Sequence, residues 1–339
     1  MHNHIQSVLA EWLPLREQHR WVLGVVTETQ GSSYRKAGAM MLISELGQCL
    51  GLLSGGCLER ALLAEAKRVL AFSRPRQITF DATQQADVAW QFGLGCGGRV
   101  TIRLYPLTRE NDHMALAKVH ASLLAGSALW LKLPLHNDML QAELTPLTFG
   151  DATPSAHVAG DRLWVPLQPQ YRLVVFGAGV DVVPLARMVA ALGWYLTLVD
   201  HRVGMTRPED FPAGTEWLRL QADAPQVVSR LADAQAVMVM THNIDLDARA
   251  LQALRGRTLS YIGLLGPAHR KARVLASSGV AEHSLSVPID GPMGIPLGGE
   301  LPESVALSAV AQCHRALVMG RQSDGLCHSD VLQSTGQRA

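Results

Sequence analysis

Charge of either sign is scarce in this sequence. Asp, Glu, Lys and Arg make up 17% of 339 residues, and the formal net charge is +1. A basic face for nucleic acid is therefore not expected. Aromatic residues reach only 5%, too few for a base-stacking platform. No run is long enough for a charge-free membrane span. Residues 1–20 lack a basic end followed by an apolar core, so no signal peptide is expected either. Cysteines number five, an odd count that excludes complete intramolecular pairing. A cytoplasmic location is the expectation, and there cysteines are more often chemical or ligating than disulfide-bonded. Glycine, by contrast, is plentiful at 30 residues, and two of the cysteines stand among glycines.

The first is in Ser54-Gly55-Gly56-Cys57-Leu58-Glu59. An aliphatic run precedes it, and Leu58, Leu62, Leu63, Ala66, Val69 and Leu70 follow at helical spacing. Two glycines at a strand-to-helix turn permit unusual backbone angles and close approach of a ligand. A thiol at a helix start, where N–H groups and the dipole favour negative charge, ionises more easily. Ser54, Gly55, Gly56 and Cys57 are therefore candidate site residues. The second cysteine is Cys96, in Gly93-Leu94-Gly95-Cys96-Gly97-Gly98. Two tight turns holding small buried thiols remain the alternative. Cys49 in a strand run, Cys313 in an apolar helix and Cys327 in the tail have ordinary packing or solvent explanations.

Periodicity predicts a helix over 5–18 and strands over 21–29, 39–44 and 48–53. A helix from 58, strands over 77–81 and 99–105, a helix over 112–124 and strands over 128–135, 139–144 and 162–166 follow. Arg35 and Lys36 lie in the loop beside Gly38. Arg35 is a candidate to hold a phosphate; Lys36 reads as a solvated loop charge. Residues 151–160 are small and polar, and 166–170 form a proline-flanked connector. The expected class is α/β. An N-terminal α+β domain over 1–168 precedes a Rossmann-like, doubly wound parallel-sheet domain over 169–320, with a mobile tail over 321–339.

The second half opens with a strand over 173–176, Gly177-Ala178-Gly179, a helical pattern over 182–192, and a strand over 195–199 ending in Asp200. This is the order of a dinucleotide-binding unit. Gly177 makes the tight turn, Gly179 lets the backbone approach a pyrophosphate, and Asp200 can accept from a ribose hydroxyl. Val182 occupies the third small-residue position, and its bulk is expected to push the helix from the strand. A strand over 234–240 delivers Thr241 and His242 to its C-terminal end, where open α/β sheets bind ligands. Asp245 and Asp247 are expected orienting partners for His242. The strand over 261–264 contains Gly263 and is closed by Gly266. Thr241, Gly263 and Gly266 join Gly177, Gly179 and Asp200 as the cofactor-binding set. Arg270 and Lys271, at the next helix start, can grip phosphate or form a solvated face.

Taken together, these motifs resemble the xanthine dehydrogenase accessory protein family, also called XdhC/CoxI. The resemblance runs from about Trp21 to Val318. It rests on Gly31-Ser32-Ser33 with Arg35 and Gly38, and on the two glycine–cysteine turns. Further on it rests on Phe176-Gly177-Ala178-Gly179, Val199-Asp200-His201-Arg202, Thr241-His242, 261–266 and Pro302-Glu303-Ser304-Val305-Ala306. Two positions differ from the usual pattern: Val180, where His is common, and Pro288-Ile289-Asp290-Gly291. The resemblance implies a maturation factor, a chaperone more than a turnover enzyme. It would bind the molybdenum cofactor, as molybdopterin or its cytosine dinucleotide form, and pass it to a molybdenum hydroxylase apoenzyme. It also implies a link to sulfuration by a cysteine desulfurase; a homodimer is left open. Soft thiolates suit a sulfur-rich molybdenum centre, so Cys57 and Cys96 are candidates to ligate the metal or carry a persulfide. Two other readings compete: an NAD(P)-dependent oxidoreductase with His242 as proton donor, and a protein-binding scaffold without nucleotide.

Overall fold

The computed structural model describes residues 3–56, 58–81, 98–136, 140–148, 154–202, 204 and 206–320. Cys57, Cys96, Cys327 and the tail over 321–339 lie outside them. The chain divides into two compact units, Met1–Gln170 and Tyr171–Ala339.

The first unit opens with α1 (Ile5–Trp12). The chain then tightens into a 3-10 turn, Leu13–Leu15, because Pro14 has no N–H to extend the α ladder. The helix expected to reach residue 18 is thus shorter. β1 (Trp21–Gln30), β2 (Met40–Ser44) and β3 (Cys49–Gly51) follow, then α2 (Glu59–Phe72), β4 (Arg76–Asp81) and β5 (Arg99–Leu107). These strands form an antiparallel sheet in the order β3-β2-β1-β5-β4. Both of its faces are covered. Trp21, Leu23 and Val25 point into one core with α1. Val22, Val26, Met41 and Ile43 point into the other, against Leu62, Ala66 and Val69 of α2. Two buried faces explain why β1 reads as a continuous apolar run.

The helix expected over 112–124 begins only at Leu116. Asp112, His113, Met114 and Ala115 all have left-handed φ, from 47° to 58°, and α3 is Leu116–Leu124. The buried Asn111 ties the preceding loop, donating from Nδ2 to Pro106 O at 2.7 Å. A second antiparallel sheet contains β6 (Leu129–Pro134), β7 (Glu143–Pro146), β8 (His157–Ala159) and β9 (Arg162–Leu167), in the order β7-β6-β9-β8. β8 falls in the small, polar stretch over 151–160. All three of its residues are exposed, so no apolar alternation marks it.

The second unit contains β10 (Arg172–Phe176), α4 (Val182–Ala191), β11 (Tyr195–Val199), β12 (Glu216–Leu218) and α5 (Pro225–Asp233). It continues with β13 (Ala236–Val239), α6 (Ile244–Ala253), β14 (Tyr261–Leu264), α7 (Ala268–Ser278), β15 (Ile289–Asp290) and α8 (Pro302–Met319). All its strands are parallel, in the order β12-β11-β10-β13-β14-β15. In chain order that is 3-2-1-4-5-6, the doubly wound arrangement with a switch point between its first and fourth strands. Leu173, Val175 and Met238 pack under α4 and α8; Val174, Val237 and Ile262 pack under α5, α6 and α7. β12, α5 and α6 were not expected from periodicity. For α6 a signal exists: Asn243 Oδ1 accepts from the N–H groups of Asp245 and Leu246, at 2.9 and 3.1 Å. That is an N-cap followed by first-turn acids.

Candidate functional site

The C-terminal ends of β10, β11 and β13 converge at the switch point, and the glycine turn lies there. Gly177 has φ +116°, and an added Cβ would stand 2.5 Å from Met240 O. Only glycine lets the end of β10 pass so close to the end of β13. The Gly177 N–H donates to Val199 O at 2.9 Å. The next N–H, of Ala178, donates to Asp200 Oδ2 at 3.1 Å. Thr206, itself buried, donates its hydroxyl to Ala178 O. Val182 is wholly buried with Leu173 and Val175. The core takes up its branched side chain under the turn.

Asp200 is held from several sides. Arg202 donates to it from its backbone N–H, from Nε at 2.9 Å and from Nη2 at 2.7 Å. Burial alone would raise its pKa. The Arg202 guanidinium, the Arg202 N–H and the Ala178 N–H outweigh burial and hold it below the usual carboxylate range. Arg202 also reaches Thr241 O from Nη1 at 3.0 Å, linking the ends of β11 and β13. A solvent-open pocket of about 330 Å³ lies beside this network, lined in part by Phe176, Asp200, Gln221, Thr241, Leu246 and Arg249.

Thr241 and His242 sit on the opposite lip. Thr241 Oγ1 stands 2.5 Å from Asp247 Oδ1, and its N–H donates to the same oxygen. Asp247, 1% exposed, also takes Arg270 Nη2 at 2.5 Å. Arg270 is therefore a structural partner, not a free phosphate grip. Lys271 is likewise engaged, by Glu282 Oε1 at 2.7 Å and Ile289 O at 2.8 Å. Asp247 is committed to Thr241 and Arg270, and Asp245 donates its N–H to the α6 cap. The partner of His242 is instead Asp181, Nε2 to Oδ2 at 2.9 Å. Periodicity did not single out Asp181; its signal is an acid directly after the glycine turn.

His242 adopts φ +58°, a left-handed conformation uncommon outside glycine. The Asp181 hydrogen bond raises its pKa above 6.5 against the opposing effect of burial. A raised histidine pKa means the pair is complete below about pH 6.5 and is lost as pH rises through the higher folded value. An NMR titration of His242 should give a midpoint above that of a free histidine, and Asp181→Asn should lower it. An unchanged midpoint in Asp181→Asn would disprove the pair in solution.

Gly263 and Gly266 have packing reasons of their own. A Cβ at Gly263 would meet the Tyr261 hydroxyl at 2.8 Å and Met293 Sδ at 3.0 Å. One at Gly266, φ +117°, would meet Arg270 Cδ at 2.5 Å. The structure thus brings Gly177, Gly179, Asp200, Thr241 and His242 together at the strand ends, with Gly263 inside the neighbouring β14.

Ser54, Gly55, Gly56 and Arg35 belong to the first unit. Ser54 Oγ donates to Glu59 Oε2 at 2.6 Å. It accepts from the Gly56 and Leu58 N–H groups at 3.2 and 3.1 Å. This shapes the turn ahead of α2, which starts at Glu59. Gly56 has φ +107° with nothing described within 4 Å of an added Cβ. The thiols of Cys49 and Cys313 are pushed up mainly by burial, which keeps them protonated and unreactive. Among the described residues no cluster of His, Cys, Asp and Glu could hold a metal ion, and no helix is long and apolar enough to cross a membrane.

Comparison with known proteins matches residues 15–81 to a profile described as the XdhC and CoxI family, and residues 173–313 to one described as the XdhC Rossmann domain. A protein of Bacillus subtilis (strain 168), described as a probable xanthine dehydrogenase subunit, is 28% identical, over 88% of this chain and 93% of its own. The molybdenum cofactor insertion chaperone PaoD of Escherichia coli (strain K12) is 26% identical, over 72% of this chain and 66% of its own. A crystal structure of a xanthine dehydrogenase from Bacillus halodurans superposes with a TM-score of 0.77 at 28% identity, covering 95% of this chain and 98% of that one.

Proposed function

The chain belongs to the XdhC and CoxI family, and from that membership we propose that it is a maturation factor that binds the molybdenum cofactor as cargo and delivers it to a xanthine dehydrogenase-type molybdenum hydroxylase. One observation carries the reading. A glycine turn lies at the switch point of a 3-2-1-4-5-6 parallel sheet, where anionic cofactors bind. The cofactor is such an anion: molybdopterin carries a phosphate, and its cytosine dinucleotide form a pyrophosphate. The E. coli relative, described as a molybdenum cofactor insertion chaperone, supports the same cargo.

In this reading Gly179 presents its backbone to the phosphate, while the Ala178 N–H and C=O stay with Asp200 and Thr206. The Asp181 carboxylate now stands over that place, with Oδ1 2.6 Å from where a Gly179 Cβ would be. An incoming phosphate displaces it and takes its hydrogen bond to His242. Cys57 and Cys96 are the thiols we propose to ligate molybdenum or to carry sulfur received from a cysteine desulfurase.

The test is activation of a cofactor-free molybdenum hydroxylase by the loaded chain, with circular dichroism as the folding control. Gly179→Val should bind the cofactor at least tenfold more weakly, because its side chain fills the phosphate position. Cys57→Ser and Cys96→Ser should fold normally and lose delivery of active cofactor. Cys313→Ser should cost stability alone, since it places a hydroxyl in a packed helix face. Full activation by the Cys57→Ser, Cys96→Ser double variant would remove both thiols from the mechanism. Saturable binding of a nicotinamide cofactor with no binding of molybdopterin would favour an oxidoreductase instead.

A further inference from the structure

We propose that the first unit carries a separate oxyanion site, a pocket walled by Asn3, His4, Arg35, Met40 and Gln168, that takes the carboxylate or phosphate group of a small ligand. This does not depend on the glycine-turn reading. The pocket has a volume of about 570 Å³ including its open mouth.

Its lining holds donors and no carboxylate. Arg35 is half-buried and makes no hydrogen bond or ion pair with another described residue. Arg20, Arg99, Arg109, Arg162, Arg230 and Arg270, in contrast, each hold a carboxylate. A half-buried guanidinium without an anion is an incomplete pair, and its planar fork suits carboxylate or phosphate.

His4 supplies a second, neutral donor. Its Nδ1 accepts from the Gln6 N–H at 3.3 Å, so the neutral ring carries its proton on Nε2. Burial pushes its pKa down to about 4, so this tautomer persists through neutral pH. The carboxamides of Asn3 and Gln168 add further N–H groups, and Met40, Leu167 and Pro166 supply apolar walls that strengthen polar contacts.

The Arg35 loop is also fixed in place. Gly38 N–H donates to Val26 O at 2.8 Å, and Val26 N–H to Ala39 O at 2.9 Å. Gly38 has φ +88°, and an added Cβ would meet Ala156 Cβ at 2.9 Å. The guanidinium is thus carried on a tied turn, which reduces the ordering cost of binding.

The test uses the full chain with 15N-labelled histidine and follows the His4 ring nitrogens by NMR, titrating inorganic phosphate and, separately, acetate. Saturable movement of the His4 Nε2 signal is expected. Arg35→Gln should weaken it roughly tenfold or more, and Arg35→Lys less, since it keeps the charge without the fork. Movement with phosphate alone identifies a phosphate ligand, with acetate alone a carboxylate ligand, and with both a general oxyanion site. Gly179→Val should leave the response intact, which separates this pocket from the glycine turn. A His4 signal unmoved by both anions, an Arg35→Gln response equal to wild type, or loss of the response in Gly179→Val would each overturn the proposal.

Discussion

Gly177→Ala should lower the melting temperature by roughly 5–20 °C, with loss of cofactor binding as a consequence. Two costs add. The position has φ +116°, where an L side chain is strained by about 1–2 kcal/mol. The new methyl would also lie 2.5 Å from Met240 O and 2.8 Å from Met240 C. Those atoms belong to backbone hydrogen-bonded to β10, through Met240 N–H to Phe176 O at 2.7 Å, so they cannot step aside cheaply. Overpacking of this kind costs roughly 1–3 kcal/mol. A total of about 2–5 kcal/mol is a large part of the stability of a domain this size. Calorimetry on the full chain reads the effect. A wild-type melting temperature in Gly177→Ala would mean that β10 and β13 do not meet as described.

Asp247→Ala should cost about 3–5 kcal/mol, the usual loss when one partner of a buried pair is removed. Asp247 is 1% exposed and holds two partners at once. Oδ2 neutralises Arg270, whose side chain is 21% exposed, and Oδ1 holds Thr241 through its hydroxyl and N–H. Truncation therefore leaves a largely buried guanidinium and an unsatisfied strand end in one step. Asp247→Asn keeps an acceptor for Thr241 and should lose less. Denaturant unfolding separates the two variants. Equal stability of Asp247→Ala and wild type would mean that the clamp contributes nothing.

These two positions differ in how far the sequence alone reveals them. Gly177 is legible because its signal is local: an apolar strand, a glycine pair and a helical pattern follow one another within about 20 residues. Asp200 is legible for the same reason. The structure adds that its carboxylate is engaged by Arg202 and Ala178. The role of Asp247 is hidden, because both of its partners reach it only in the folded chain. The helix expected over 5–18 is too long because apolar spacing continues past Pro14, which interrupts the α ladder. β8 leaves no trace in the pattern because its three exposed residues carry no alternation. α6 escapes periodicity because its buried face includes Asp247 and two alanines, although Asn243 marks its start.

Connectivity and pattern alone therefore determined a mixed α/β class, a parallel sheet in the second half, and a glycine turn leading to Asp200. The family resemblance followed from the same local motifs. The tertiary structure decided the charge partners. His242 meets Asp181 across 61 residues, Arg202 meets the Thr241 carbonyl across 39, and Arg270 meets Asp247 across 23. These pairings exist because β11, β10, β13 and β14 lie side by side and parallel, which brings the segments that follow them to one end of the sheet. Turn chemistry and periodicity act over a few residues and determine each strand end separately. Which ends become neighbours is set by the packing of the whole sheet, and side-chain charges pair only after that choice has been made.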